Sequence, residues 1–405
     1  MRVLIADKLL ATTADRLRAA GCEVIVDPGL SGAALGDALN EGAFQVLVVR
    51  STKVPSEVLA CGRMLGLIVR AGAGVNTIDV AAASAAGIYI ANCPGKNSLA
   101  VAELTIGLLV SLDRRIPDAV SDLREGAWKK GEYSKARGLA GRTLGVVGAG
   151  RIGMAVARQA RGLGMKVSIW NRSEGRRASV EAEGFTFEPD LLVLASTCDA
   201  ITIHLASTKE TRGIASPAFF EALAEGAYFI NTSRGDLVDE EALRRALQSK
   251  GVRAALDVFQ GEGKGGVDTV DVPLLAEPNV IATPHIGAST LQAQEAVADE
   301  VVRIVTDYAL TGGVPNVVNV VARSPASHVL IVRHLNRVGV LSHVFSALKD
   351  AEINVQETEN IVFDGGRACI ARIAIDSAPD VAVLDRVHAG CADVLDLHLV
   401  ARSEA

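Results

Sequence analysis

The chain has 405 residues, of which 49% are hydrophobic and 22% are charged, so we expect about two or three packed domains and not a disordered chain. Its formal net charge of -6 and its lack of a dense lysine and arginine run argue against a nucleic-acid partner. Asp7 stands where a signal peptide needs its apolar run, and no later apolar stretch could span a membrane, so we expect a cytoplasmic protein.

The N-terminal part of the chain alternates short apolar runs with helical patterns. Each predicted strand is a continuous hydrophobic run, which is typical of a parallel sheet that is buried on both faces. A helix that ends at Gly21 separates the first two strands, and a long helix over 98–112 follows the series, with Pro117 expected to stop it. The predicted strands are 3–6, 24–26, 46–49 and 67–70.

A second α/β series begins at Thr143. Its predicted strands are 144–147, 166–170, 200–204, 227–231, 254–258 and 280–283. A helix over 290–308 and a Gly-Gly-Val-Pro linker at 312–315 come next. From about Ser324, the order strand, helix, two strands, helix, strand predicts a ferredoxin-like domain in roughly 80 residues. The predicted fold class is therefore α/β, with two doubly wound parallel-sheet domains followed by a ferredoxin-like α+β domain.

The six cysteines are scattered along the sequence without a close pair. This spacing favours buried thiols over a disulfide framework or a zinc site, and no metal is expected. For Cys93, which precedes Pro94 and Gly95, a catalytic role is the alternative.

A glycine-rich segment, Gly148-Ala149-Gly150-Arg151-Ile152-Gly153, directly follows the first strand of the second series. The first glycine permits a tight turn, the second lets a pyrophosphate approach the backbone, and the third allows close helix packing. Free N–H groups at the start of the helix would then face the anion. An ordinary glycine-rich turn is the alternative. The helix is indicated by apolar residues at helical spacing, namely Ile152, Val156, Ala160 and Leu163.

The segment Asn171-Arg172-Ser173, after the next predicted strand, bears on the choice of cofactor. An NAD site normally has an acid here, which bonds the adenosine ribose. Asn171 can bond a hydroxyl group, whereas Arg172 could pair with the 2′-phosphate of NADP or be a solvated charge. These residues leave NAD and NADP open.

Three later segments, 231–235, 257–262 and 284–289, place polar residues after predicted strands. Ligands of parallel α/β sheets bind at this carboxyl edge. Hydride transfer from a 2-hydroxy acid needs a cation that holds the carboxylate and a group that exchanges the hydroxyl proton. Arg234 suits the first task, and His285 with Glu262 beside it suits the second. Taken singly, they could be a surface ion pair, a core histidine and a solvated acid.

Together with the glycine turn, these segments resemble the D-isomer-specific 2-hydroxyacid dehydrogenase family, and the similarity covers residues 1–320. The resemblance implies that Arg234 binds the substrate carboxylate and polarises the C2 oxygen, while His285 donates and accepts the proton and Glu262 orients it. It favours NAD, leaves NADP plausible, and implies a homo-dimer or homo-tetramer. The implied cofactor-binding residues are Gly148, Gly150, Arg151, Ile152, Gly153, Asn171, Arg172, Thr232, Ser233, Asp257, Gly287 and Ala288.

In that family the substrate domain is discontinuous, which here implies residues 1–96 with 287–318, and a dinucleotide-binding domain at 97–286. Its segments are similar to the phosphoglycerate branch, which acts on 3-phosphoglycerate and 3-phosphohydroxypyruvate in serine biosynthesis. The amides of the 72–74 turn would receive the substrate carboxylate, and Arg50 would approach its phosphate. The implied substrate-binding residues are Arg50, Ser51, Gly72, Ala73, Gly74 and Asn97.

Two departures from the family pattern keep other substrates open. The segment after Arg50 is one residue shorter than usual, and Gly263-Lys264-Gly265-Gly266 stands where proline is usual. Reduction of glyoxylate, hydroxypyruvate or 2-ketoglutarate is therefore the alternative activity. A dinucleotide-sensing regulatory protein is a further alternative, which the lack of a basic face opposes.

The C-terminal region, 324–405, resembles the ACT domain through its segments 334–341 and 352–355. The resemblance implies that His334, Asn336 and Asn354 bind serine at an interface between two such domains. Val338 replaces the usual proline of the loop, which removes a restraint on φ. A module that only assembles subunits is the alternative.

Overall fold

The computed structural model describes residues 1–262, 272–321 and 323–402. The chain divides into two compact units, Met1–Asn319 and Val320–Ala405. The first contains two parallel sheets and the second an antiparallel sheet, which confirms the predicted fold class. Within the described part of the chain, no helix has both the length and the apolar composition needed to cross a membrane. The sequence departure at 263–266 lies outside the described residues.

Five parallel strands form the first sheet: β1 (Arg2–Ile5), β2 (Glu23–Val26), β3 (Val46–Val49), β4 (Leu67–Arg70) and β5 (Tyr89–Asn92). Their spatial order, β2-β1-β3-β4-β5, is the flavodoxin-like order. Successive residues of a strand point to opposite faces, so Val3 and Leu4 enter different hydrophobic cores, and both are buried. Burial on both faces explains why the strands are continuous apolar runs.

Seven parallel strands form the second sheet: β6 (Thr143–Val147), β7 (Lys166–Trp170), β8 (Thr186–Phe187), β9 (Ala200–Ile203), β10 (Tyr228–Asn231), β11 (Arg253–Leu256) and β12 (Val280–Ala282). Their spatial order is β12-β11-β10-β9-β6-β7-β8, which is the Rossmann arrangement. From β6 the strands are added toward one edge of the sheet, through β7 to β8, and from β9 they are added toward the other edge. The direction of addition therefore reverses between β6 and β9. At such a point the connections diverge and a ligand crevice opens at the carboxyl ends of the strands.

Helices flank both sheets. Those of the first unit are α1 (Ala11–Ala19), α2 (Gly32–Gly42), α3 (Ser56–Cys61), α4 (Val80–Ala85), α5 (Ser98–Arg114), α6 (Ile116–Arg124), α7 (Lys130–Tyr133), α8 (Arg151–Gly162), α9 (Arg177–Ala182), α10 (Leu191–Thr197), α11 (Pro217–Ala222), α12 (Glu240–Lys250) and α13 (Leu291–Thr311). Although α13 follows the second sheet in sequence, its residues Val301, Ile304 and Val305 pack into a core of the first. The proposed discontinuous domain, residues 1–96 with 287–318, requires this return.

Helix α5 ends for a reason other than the predicted one. Arg115 adopts a left-handed backbone conformation with φ of 51°, and this residue interrupts the helix before Pro117 is reached. Pro117 lies instead in the first turn of α6, where its missing N–H group would have had no helical partner. The expectation that Pro117 stops the helix was therefore wrong.

The second unit has the predicted ferredoxin-like connectivity. Its elements are β13 (His328–Leu335), α14 (Val340–Asp350), β14 (Val355–Val362), β15 (Ala368–Ile375), α15 (Val381–Ala389) and β16 (Val394–Ala401). The antiparallel order is β14-β15-β13-β16, which leaves β14 and β16 at the edges. Leu330 and Ile373 of the sheet pack with Val344 and Val387 of the two helices in one hydrophobic core.

Candidate functional site

The glycine-rich turn joins β6 to α8 and has the steric pattern of a pyrophosphate cradle. A Cβ atom at Gly153 would lie 1.9 Å from the Gly148 carbonyl oxygen, and one at Gly148 would lie 2.4 Å from the His204 carbonyl oxygen. At Gly150, which caps the start of α8, no described atom lies within 4 Å of a Cβ. The outer glycines therefore close the turn and the middle one faces open space, so these residues fit a dinucleotide.

Asn171 braces this turn from the end of β7. Its Oδ1 accepts a hydrogen bond of 3.1 Å from the Ala149 amide, and its Nδ2 donates to the Ser173 carbonyl at 2.9 Å. The Gly148 amide donates to the Trp170 carbonyl at 2.8 Å. Asn171 thus shapes the turn itself, whereas the resemblance implied that it binds the cofactor.

A cavity of about 520 Å³ lies within the first unit, at the carboxyl ends of strands from both parallel sheets. Most of the residues that the sequence implicated in substrate and cofactor binding line it. They are Arg50, Ser51, Gly72, Ala73, Gly74, Asn97, Gly150, Arg151, Ile152, Thr232, Ser233, Arg234, Asp257, His285, Gly287 and Ala288.

His285 and Glu262 form a hydrogen-bonded pair at this cavity. Nδ1 of His285 lies 2.7 Å from Oε2 of Glu262, and the two side chains are 51% and 29% exposed. A carboxylate on one ring nitrogen fixes the tautomer and orientation of the imidazole. The pair occupies Nδ1, so exchange of a proton with a ligand falls to Nε2.

Buried Asp257 sets the backbone position of His285. Its carboxylate accepts hydrogen bonds of 2.8 Å from the amides of Ile286 and Gly287 and one of 2.5 Å from the Thr283 hydroxyl. Its own carbonyl accepts from the His285 amide at 3.0 Å. His285 has a φ of 53°, a conformation unusual for a side chain with a Cβ, and these bonds hold it there.

Arg234 follows β10 and faces the first sheet across the cavity. A Cβ atom at Gly74 would lie only 3.0 Å from Nη2 of Arg234, so the guanidinium sits against the glycine turn that follows β4. Its Nη1 donates to the Ser233 carbonyl at 2.6 Å, which leaves other N–H groups of the fork for a ligand.

Arg70, at the end of β4, adds a partly buried guanidinium that sequence reasoning missed. Burial lowers the pKa of Arg70, and the positive charges of Arg234 and Arg50 lower it further. Its Nε atom is buried without a hydrogen-bond partner among the described residues. Three cations thus converge on one cavity, which is an arrangement suited to an anionic ligand.

Asp7 holds the turn that carries Arg50. Its carboxylate accepts hydrogen bonds of 2.6, 3.1 and 3.0 Å from the amides of Arg50, Ser51 and Thr52, and one of 2.9 Å from the Ser51 hydroxyl. Burial by itself raises the pKa of Asp7, but these hydrogen bonds outweigh it and the net pKa is lowered. An ionised acceptor therefore fixes this turn.

Comparison with known proteins assigns this geometry to a family. Residues 106–287 match the model of the D-isomer specific 2-hydroxyacid dehydrogenase, NAD binding domain. A hydroxypyruvate reductase of Thermotoga maritima is 40% identical over 259 residues, which are 64% of this chain and 82% of that protein. The chain belongs to the D-isomer-specific 2-hydroxyacid dehydrogenase family. The second sheet and its glycine turn are therefore the NAD-binding part of a member of this family.

Other members of the family are similar over a longer stretch. A D-3-phosphoglycerate dehydrogenase of Archaeoglobus fulgidus is 36% identical over 328 residues, or 80% of this chain, but the chain spans only 60% of the length of that relative. The crystal structure of the TT0316 protein of Thermus thermophilus is 33% identical, with a TM-score of 0.71 over 78% of this chain and 100% of that chain.

Several sequence-implied residues do not line the cavity of this family member. Gly148 and Gly153 close the turn, and Glu262 stands behind His285. Arg172 pairs with Glu210, with 3.4 Å between Nη1 and Oε2, and both side chains are exposed.

The sequence-implied effector residues lie in the second unit, at both ends of its sheet. His334 is buried at the end of β13, and the nearby Asn336 donates from Nδ2 to the Gly366 carbonyl at 2.9 Å. Asn354 lies at the opposite end, where its amide donates to Asp376 at 3.1 Å. Within one copy of the unit, the three residues are therefore not brought together.

Two further residues bear on the predictions. Burial raises the pKa of the Cys93 thiol to about 12, so it is not a nucleophile at neutral pH and its possible catalytic role is not supported.

His204, which follows β9 and lines the cavity, was missed by the sequence analysis. Its Nε2 lies 3.0 Å from the Thr202 hydroxyl, and its Nδ1 is buried without a partner among the described residues.

His204 should make the first unit sensitive to mild acid. Burial lowers the pKa of His204 to about 3 from 6.5, so the unfolded chain binds the proton first and the free energy of unfolding falls as pH drops below 6.5. Between pH 6.5 and 5 we expect a loss of roughly 2 kcal/mol. Trp128 and Trp170, both in this unit, report its denaturant unfolding by fluorescence. In His204→Gln the pH dependence should largely vanish, and an unchanged dependence would contradict the assignment.

Proposed function

We propose that the protein is an NAD-dependent D-2-hydroxyacid dehydrogenase that interconverts 3-phosphoglycerate and 3-phosphohydroxypyruvate in serine biosynthesis. One observation carries the proposal: the His285–Glu262 pair, a cluster of guanidinium groups and the glycine turn share one cavity. The similarity to a D-3-phosphoglycerate dehydrogenase supports the choice of substrate.

The proposed reaction divides the work among residues of the two sheets. The carboxylate of the substrate binds to Arg234 and to the amides of the 72–74 turn, which lie against each other. The same guanidinium polarises the C2 oxygen. Nε2 of His285 takes the hydroxyl proton in oxidation and returns it in reduction, while Glu262 stabilises the protonated ring. The residues of the glycine turn would hold NAD, whose nicotinamide ring would supply the hydride acceptor or donor.

The charge of the cavity supports a phosphorylated substrate. Lys96 is neutralised by Glu300, with 2.9 Å between Nζ and Oε2, whereas Arg50 and Arg70 line the cavity. A ligand with only a carboxylate would leave the half-buried Arg50 and Arg70 without a salt-bridge partner among the described residues, and a phosphate would supply one. Hydroxypyruvate or glyoxylate reduction remains the second candidate, because the hydroxypyruvate reductase of Thermotoga maritima is 40% identical.

Replacing the imidazole tests the assignment of the proton donor. In His285→Ala we expect turnover to fall by roughly 100- to 10,000-fold, the usual contribution of general acid–base catalysis. Affinity for NAD, measured by titration calorimetry, should stay within about twofold because the glycine turn is untouched. Near-normal turnover in the variant would refute the role of His285.

A substrate panel with a phosphate-site variant tests the choice of substrate. Steady-state rates with NADH should be highest for 3-phosphohydroxypyruvate, compared with hydroxypyruvate, glyoxylate and 2-ketoglutarate. Arg50→Ala should lower kcat/KM for the phosphorylated substrate by about tenfold or more, the size of one charge-assisted hydrogen bond, and change that for hydroxypyruvate little.

Arg18→Ala is the matched control for this panel, because Arg18 is an exposed arginine paired with Asp15 on α1. It should alter neither substrate. Equal losses on both substrates in Arg50→Ala, or faster reduction of hydroxypyruvate by the unmodified protein, would favour the second candidate.

We also propose that the second unit, 324–405, is an ACT domain that binds serine between two copies. β14 is an edge strand, paired on one side by β15. Antiparallel pairing of two such edges would bring Asn354 of one copy to the end of the other that holds His334 and Asn336. Because the three residues lie apart within one copy, they could form one site only when two copies pair.

Serine inhibition tests this proposal. Millimolar serine should slow the reaction of the full chain, and Asn336→Ala and Asn354→Ala should each abolish the slowing, since each removes one half of the same site. Asp385→Ala, an exposed change on α15, is the control and should keep it. No effect of serine on the unmodified protein would leave the domain as an assembly module.

An exposed apolar face supports the proposed homo-oligomer. On α6 and just beyond it, Ile116, Val120, Leu123 and Trp128 are between 40% and 79% exposed, and the first three share one side of the helix. Contiguous apolar surface of this kind is typical of a protein interface. The homo-dimer or homo-tetramer and the cytoplasmic location remain predictions from the sequence.

A further inference from the structure

Arg172 follows the strand whose end normally supplies an acid to the adenosine ribose. Asn171 takes the usual place of that acid and contacts Ala149 of the glycine turn. Arg172 is the next residue after this contact with the pyrophosphate cradle. An unpaired arginine in this place would favour the 2′-phosphate of NADP, because a guanidinium binds phosphate through charge-assisted hydrogen bonds.

An acid from a different loop reaches Arg172. Glu210 lies in the loop after β9, and its Oε2 is 3.4 Å from Nη1 of Arg172. The Thr208 hydroxyl donates to the same oxygen at 2.6 Å. Buried Thr211 fixes the loop, because its hydroxyl donates to the Ala206 carbonyl at 2.7 Å and accepts from the Thr208 amide at 2.8 Å. Contacts with Thr208 and Arg172 therefore orient the carboxylate, although the side chain of Glu210 is 64% exposed.

The carboxylate is also ionised at neutral pH. The Thr208 hydroxyl is the largest influence that lowers the pKa of Glu210, and the charge of Arg172 contributes in the same direction. The loop thus restores, from β9, the negative charge that the end of β7 lacks.

We propose that Glu210 is a specificity-determining residue that makes this site select NAD over NADP. It neutralises Arg172, and its own charge repels a 2′-phosphate. The inference rests on the proposed dehydrogenase function, since it concerns the cofactor of that site. In this proposal Glu210 takes the part of the acid that is absent directly after β7.

Nucleotide binding tests the proposal without any turnover. Adenosine 2′,5′-bisphosphate and 5′-AMP are titrated into the full chain by calorimetry at low ionic strength, and NADP is compared with NAD in the same way. The Glu210→Gln variant keeps the shape of the side chain and removes its charge. We expect it to bind the 2′-phosphorylated nucleotides about tenfold more tightly or better, with little change for 5′-AMP and NAD.

Two controls separate a local effect from a general change of charge. Glu23→Gln removes the same charge from another exposed pair, with Arg2 at 3.0 Å, and should leave the nucleotide preference unchanged. Adding Arg172→Ala to Glu210→Gln should cancel the gain, because the freed guanidinium is then absent.

The outcomes distinguish this inference from the function on which it rests. If the unmodified chain binds 5′-AMP and NAD but Glu210→Gln keeps the original preference, Glu210 has no part in selection and the dehydrogenase proposal stands. If the unmodified chain binds none of these nucleotides, both proposals fail. Persistence of the gain after the addition of Arg172→Ala would also overturn the mechanism.

Discussion

Backbone amides that leave a buried strand must find an acceptor, and the site of this protein is built on that requirement. Asp7 receives the amides that follow β3, and Asp257 receives those that follow β12. Asn171 accepts the amide of Ala149, which follows β6, and Asn231 accepts that of Ser233, which follows β10. Short polar side chains at the carboxyl edge thus fix four of the loops at the site.

This construction separates the groups that touch a ligand from those that shape the loops. The loop-holding side chains are anionic or neutral, whereas Arg50, Arg70 and Arg234, which line the cavity, are cationic. Because the acids already accept several hydrogen bonds, they do not pair with these guanidinium groups. The guanidinium groups therefore remain available to an anionic substrate. The left-handed backbone conformation of His285 is held by hydrogen bonds that the ligand does not disturb.

The architecture could largely be predicted from the sequence, because each rule depends on neighbours in the chain. Apolar runs predict the buried strands, although β5 and the two-residue β8 were missed; β5 begins with the exposed Tyr89 and ends with Asn92. The glycine turn was recognised from its spacing. Leu163 was expected on the packed face of the following helix, but it lies beyond the end of α8 and is 40% exposed.

The functional residues that sequence reasoning missed act through contacts between distant segments. Asp7 and Arg50 are 43 positions apart, and Arg172 and Glu210 are 38 positions apart, so no local pattern joins them. Arg70 and His204 did offer a signal, since each follows or ends a predicted strand at the carboxyl edge. Whether such a residue binds a ligand, holds a loop or repels a ligand depends on its contact partner. That partner is set by the tertiary structure.

The half-exposed position of His285 has a consequence for proton traffic. Half of the side-chain surface of this residue, 51%, is open to solvent. In the proposed reaction, a proton taken from a substrate hydroxyl can therefore pass directly to bulk water or buffer, without a relay of internal groups. The catalytic cycle then needs no chain of buried groups to carry the proton.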